Sequence, residues 1–118
     1  MVLTKSQVLE AQDLPTVSVP VPQWGGDVLL RTLTGAEREE LEKRIERFKR
    51  GSGVSGKDSV RAVAIVMCAV DDNGQPLFEE KDAEALAKKS GAALDRLFDE
   101  ILDLNGMSKR AADDLAKN

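Results

Sequence analysis

At 118 residues, 42% hydrophobic and 32% charged, the chain is sized for one folded domain around one hydrophobic core, too short for two. Its formal net charge is -4, with 17 basic residues interleaved among 21 acids, so no basic stripe exists for a phosphate backbone and nucleic acid is excluded as the expected partner. Histidine is absent, which removes the usual general base and the commonest metal ligand.

The first stretch, LTKSQVLEAQDLP, predicts a short helix capped by Thr4 or Ser6, with Val8, Leu9 and Leu14 offered inward and Pro15 ending it. In TVSVPVPQWGGDVLLRTL, Val17, Val19 and Val21 alternate with Ser18, Pro20 and Pro22. A Gly-Gly turn then leads into Val28 to Leu33, which predicts a β-hairpin. Pro20 and Pro22 lack a backbone donor and so mark an unpaired edge. Residues 19 and 21 bond to the returning strand, whose far side around Val28 to Thr32 is left to accept a further strand or a partner. Two strands alone are marginal in water, so the hairpin must lean on helices or on another copy of the chain.

TGAEREELEKRIERFKR predicts a helix: Thr34 and Glu37 have capping-box spacing, and Leu41, Ile45 and Phe48 share a stripe. Glu39 with Lys43, Glu40 with Arg44 and Glu46 with Arg50 stand four apart with the acid first, worth roughly 0.2 to 0.5 kcal/mol per pair. They read as a solvated face. The following RGSGVSGKDSV is one residue short of a phosphate-binding loop. It follows a charged helix where a buried strand is needed, and Asp58 stands where a magnesium-holding Ser or Thr belongs. Treating AVAIVMCAVDD as the acidic metal-binding strand would leave no chain for the helix required after Lys57. Residues 51–57 therefore read as a flexible linker, with Asp58 or Ser59 capping the next helix.

Val60 to Val70 is apolar apart from Arg61. Its β-branched residues would suit a buried strand, but its length, its preceding caps and its alanines favour a central buried helix. Cys68, the single cysteine, lies in this run, where burial keeps it a thiol. DDNGQPLF is a turn, after which Leu77 and Phe78 plug the end of the core. EEKDAEALAKKSG predicts a short helix with Ala83, Leu86 and Ala87 inward and Gly91 near its end. GAALDRLFDEILDLNG places Leu94, Leu97, Phe98, Ile101 and Leu102 on one broad helical face and stops at Asn105-Gly106. Ser108 caps a last weak helix over the residues to 118. The predicted fold class is α+β, mainly α: an N-terminal β-hairpin packed with four to five helices around one core, in a single domain spanning 1–118. With no disulfide possible, no charged-then-apolar leader and no apolar run near the ~20 residues of a membrane span, a reducing cytoplasm fits best.

Three stretches carry a family likeness: VPVPQWGGDVLLRTLTGAEREELEKRI, the apolar run closing in VDDNGQPLF, and DAEALAKKSGAALDRLFDEILDLNGMS. In that order, from about Leu3 to Ser108, they resemble the tail assembly chaperones of long-tailed, non-contractile bacteriophages. The most specific parts are the WGG turn, the R-x-L-T-G-A-E-R junction from Arg31 to Arg38, and the K-S-x-x-A-L-D-R-L opening from Lys89 to Leu97. The resemblance implies a non-enzymatic late protein of the host bacterial cytoplasm, absent from the mature virion. Such a protein coats the aggregation-prone tape measure protein and helps recruit tail tube subunits. It also implies a homo-oligomer, with no cofactor, nucleic acid, membrane or small-molecule substrate, and in many members a longer frameshifted product. The alternative is another phage structural part, such as a head-to-tail connector or a tail completion protein.

The expected partner or oligomer residues are Val28, Leu30 and Thr32 on the far hairpin edge, Leu97 and Ile101 on the apolar helical face, and Trp24. Trp24, the single tryptophan, either closes the core or anchors a neighbouring subunit.

Overall fold

Antiparallel pairing of β1 (Thr16–Val21) with β2 (Gly26–Arg31) frames the N-terminal half, with Val19 opposite Val28 and Val21 opposite Gly26. The alternation fixes the faces: Val19 and Val21 are buried while Ser18 and Pro20 point to solvent. Pro22 is not part of the strand. It opens the 3-10 turn Pro22–Trp24, for which a residue of fixed φ is suited, and Gly25 closes that turn at φ 75° in the left-handed region.

The computed structural model describes residues 1–49 and 59–107. The linker expected over 51–57, Arg50, Asp58 and the last helix from Ser108 lie outside them. The other elements are α1 (Lys5–Glu10), α2 (Gly35–Lys49), α3 (Val60–Cys68), β3 (Ala69–Val70), α4 (Ala83–Leu86) and α5 (Gly91–Leu104). The fold is α+β, mainly α, with a sheet ordered β1-β2-β3 beside the helices.

The apolar run does not stay helical to Val70. Ser59 caps it, its hydroxyl accepting the Ala62 N–H, and Val60, Ala62, Val63, Ala64, Ile65 and Cys68 are buried. At Ala69 the backbone becomes extended, and Ala69 and Val70 pair with Leu30 and Leu29 of β2. The β-branched residues that argued for a strand thus sit in a helix, and the strand is its two-residue exit. Asp71 then anchors the turn: its carboxylate accepts the N–H groups of Asn73 and Gln75, and Gly74 takes φ 80°. The Leu77 N–H returns to the Ala69 carbonyl at 3.0 Å, so the chain itself covers the outer side of β3.

Helix α3 lies at the centre, against α5, α2 and α4. α5 is capped by Ser90, whose hydroxyl accepts the Ala93 N–H, and it buries Ala93, Leu94, Leu97 and Ile101. α2 opens with the predicted capping box between Thr34 and Glu37 and buries Leu41, with Ile45 half-buried. Phe48, expected on the same inward stripe, is 43% exposed. Of the predicted charge pairs, Glu40–Arg44 forms at 3.2 Å, while Arg38–Glu42 forms with the base first. The helix expected over residues 79–91 is only a 3-10 turn, Glu80–Asp82, followed by α4; Ala83 and Leu86 are buried as expected, and Gly91 starts α5. Phe78 packs half-buried on the core, whereas Leu77 is 47% exposed.

Candidate functional site

The strand-to-helix junction is held by charge. Arg31, the last residue of β2, reaches Glu37 in the first turn of α2 through two hydrogen bonds, Nη1 to Oε1 at 2.8 Å and Nη2 to Oε2 at 2.6 Å. Glu37 Oε1 also accepts the Thr34 N–H at 2.9 Å, so one carboxylate caps the helix and ties it to the sheet. The Arg31 hydrogen bonds hold the Glu37 carboxyl down at about 2, and the same contact raises Arg31.

A depressed carboxyl contributes stability above its unfolded value and loses it as pH falls. Between pH 4.5 and about 2, the wild-type protein should therefore lose stability that Glu37→Gln does not lose. At pH 7 the same variant should be about 1 kcal/mol less stable, a modest cost because the pair is partly exposed. Urea unfolding of both proteins across that pH range checks it.

A second tie crosses the whole chain. The Asn105 side chain, 7% exposed, accepts the Leu33 N–H at 2.8 Å and donates to the Ile101 carbonyl at 2.8 Å. It ends α5 and fastens it to the β2–α2 junction. Sequence reasoning read Asn105 only as a stop signal, and nothing in the spacing reveals a partner 72 residues away.

No group of three or more potential metal ligands occurs among the described residues. Cys68 is fully buried, and loss of solvation pushes its thiol up to about 12, which makes it a packing residue. The phosphate-loop-like stretch from Gly51 to Lys57 lies outside the described residues. No described helix is long and apolar enough to cross a membrane.

Two surface grooves combine apolar and charged lining residues. One groove of about 570 Å³ runs between α2, α3 and α5. Its apolar lining includes Ile45, Phe48, Phe98 and Leu102, and Arg38, Glu42 and Arg61 stand among its lining residues too. Arg61 lies 5.5 Å over the Phe98 ring and pairs with Asp95, so the guanidinium ties α3 to α5 there. A smaller groove of about 270 Å³ lies between α2, α3 and α4, with Val63, Val66, Met67 and Ala83 forming its apolar part.

The expected site residues separate into two groups. Leu30, Leu97 and Ile101 are fully buried. They belong to the core, because the face of α5 that carries 94, 97 and 101 is the one turned against α3. The partly exposed positions one residue further along, Phe98 and Leu102, line the groove. The far side of β2 is taken at Leu29 and Leu30 by β3, the further strand that was one of its two expected occupants. Val28 is half-buried against the core. Thr32 holds the root of the N-terminal segment, its N–H and its hydroxyl both donating to the Pro15 carbonyl at 3.0 and 2.8 Å. Trp24 is half-buried and packs on the core, which places it as a core-closing residue in the single chain.

The apolar residues of α1 also depart from expectation. Val8, Leu9 and Leu14, expected inward, are 55%, 73% and 45% exposed. Thr4 rather than Ser6 caps the helix, in a capping box with Gln7.

The structure resembles that of the bacteriophage HK97 tail assembly chaperone, with a TM-score of 0.55 over 88% of this chain and 95% of that one, at 21% identity. A search of curated proteins returns no match. The family model described as phage tail assembly chaperone matches residues 4–118. That match takes in the hairpin, the Arg31–Glu37 junction, both grooves and the Asn105 tie, and on its extent the chain belongs to the phage tail assembly chaperone family.

Proposed function

We propose that the protein is a non-enzymatic chaperone that keeps the tape measure protein soluble during tail assembly, helps recruit tail tube subunits to it, and acts as a homo-oligomer. The family match over residues 4–118 is the observation that carries this reading. The surface chemistry supports it. A helical client with an apolar stripe needs a groove with an apolar floor and charged groups of both signs along its sides. The groove between α2, α3 and α5 supplies Ile45, Phe48, Phe98 and Leu102 with Arg38, Glu42 and Arg61. The client's site on this reading is that groove, and it requires no reactive group. The protein works in the host cytoplasm as one domain and leaves before the virion is finished.

Co-expression with the tape measure protein of the same phage tests it. The two should co-elute as a soluble complex, and Phe48→Glu should weaken that complex without unfolding the chaperone, because Phe48 is already largely in water. A tape measure protein that elutes alone while the wild-type chain stays folded would contradict the assignment. Mass spectrometry of purified particles should find none of the chain, and its presence there would favour a structural part of the tail.

A further inference from the structure

The chain holds two Asn-Gly pairs, Asn73-Gly74 and Asn105-Gly106. Such a pair is chemically labile: the backbone nitrogen of the glycine attacks the side-chain carbonyl carbon of the asparagine, and a residue with no Cβ puts nothing in its way. The two pairs stand in opposite surroundings.

Asn105 is 7% exposed, and both ends of its amide are occupied, the oxygen by the Leu33 N–H and the nitrogen by the Ile101 carbonyl. Turning that amide toward Gly106 gives up both bonds and strands a buried donor. Asn73 is exposed, as are Asp72, Gly74, Gln75 and Pro76 around it. Its backbone N–H is held by the Asp71 carboxylate at 2.8 Å, but its side-chain amide makes no hydrogen bond among the described residues. Beyond the chain neighbours of Gly74, nothing lies within 4 Å of where a Cβ on that residue would stand, which leaves room for solvent. The bond that opposes attack runs from the Gly74 N–H to the Asp71 carbonyl at 3.0 Å, in an exposed turn where local opening costs little.

We infer that Asn73 is a site of spontaneous deamidation in the folded protein, and that Asn105 is protected from the same reaction by its two bonds. The Gly74 nitrogen bonds to Asn73 Cγ, the Cγ–Nδ2 bond breaks, and ammonia leaves with the proton that the Gly74 nitrogen gives up. Water then opens the cyclic imide. Breaking the bond to Cγ leaves aspartate. Breaking the bond to the backbone carbonyl carbon leaves isoaspartate, whose main chain runs through Cβ and Cγ and is one atom longer. That extra atom falls inside the turn that covers β3. Asp71 accepts from the Asn73 and Gln75 N–H groups, its own N–H donates to the Gln75 carbonyl at 2.8 Å, and Val70 bridges to Pro76. Isoaspartate at position 73 shifts Gln75 out of these bonds and loosens the cover.

Incubation of the wild-type protein in mildly alkaline buffer, followed by peptide mapping with mass spectrometry, tests this beside a parallel sample unfolded in urea. In urea the two pairs should convert at similar rates, whereas in buffer Asn73 should convert about 100-fold or more faster than Asn105. Isoaspartyl methyltransferase should label the peptide that contains residue 73. Asn73→Gln, which needs a larger ring, should abolish that label and keep the fold, since the side chain it replaces has no partner among the described residues. The separated isoaspartyl protein should melt about 4 °C or more below the fresh protein. Conversion of Asn73 in urea but not in buffer overturns the inference, and so does equal conversion of both pairs in the folded chain. An isoaspartyl form that melts with the fresh protein overturns the effect on the turn.

Discussion

Replacing Leu97 with alanine is expected to destabilise the fold by about 3–4 kcal/mol, the largest effect of any substitution considered. Leu97 is fully buried in the face of α5 that packs on α3, and it belongs to one core cluster with Ile65, Cys68 and Ile101, which are fully buried as well. Removing most of its side chain loses transfer energy and leaves a void that two helices joined at several points cannot close. In a chain of this size that loss lowers Tm on the order of 15 °C. The experiment also separates two readings of the amphipathic stripe. A residue that contacts a partner weakens that partner's binding at unchanged stability, whereas a core residue unfolds first. Thermal unfolding followed by circular dichroism decides between them, and a Tm within a few degrees of wild type would return Leu97 to the surface.

Asn105→Ala should cost about 2–3 kcal/mol, more than an asparagine at a helix end ordinarily contributes. The side chain has two partners and nearly no water: in the variant the Leu33 N–H, itself buried, loses its bond, while the Ile101 carbonyl keeps the residue 105 backbone N–H at 3.1 Å. The unpaired Leu33 donor carries most of the penalty, since nothing else reaches it. Asn105→Asp divides the two contacts. Its carboxylate still accepts from Leu33, but it now faces the Ile101 carbonyl with an acceptor where a donor stood. Relative to wild type at the same pH, Asn105→Asp should regain stability as acid protonates the carboxyl, and Asn105→Ala should not. Urea titrations at neutral and acid pH check both. Equal deficits at all pH values would mean that the Ile101 contact contributes nothing.

The parts of the fold that follow local rules were legible in the sequence. The valine alternation and the prolines gave the hairpin and its unpaired outer edge. Thr34 with Glu37 gave the start of α2, and the stripe from Leu94 to Leu102 gave α5. The places where expectation and structure part are set by contacts distant in sequence. Whether the exit of the apolar run would continue as helix depended on β2 being there to pair with Ala69 and Val70, which no local preference encodes. The same pairing decided between the further strand and the partner that the sequence left open for that edge. Leu97 and Ile101 were recognised as apolar and helical, but which of two adjacent stripes on α5 meets α3 is settled by packing. For α1 the local signal was right about the helix and its cap and wrong about its direction, because Val8 and Leu9 have no inward surface to meet in the single chain. Arg31 and Glu37 both stood inside the motif that carried the family likeness, and the structure supplies the physical reason for that motif: a capping acid shared with an arginine from the preceding strand.

We propose above all that this protein acts through apolar surface presented to an aggregation-prone client. The direct measurement is light scattering of the tape measure protein diluted from denaturant, with and without the chaperone at matched concentration. Scatter should fall in proportion to the chaperone added until the client is covered, and Phe48→Glu should need more protein for the same effect. Identical scatter with and without a folded wild-type chain would contradict the account.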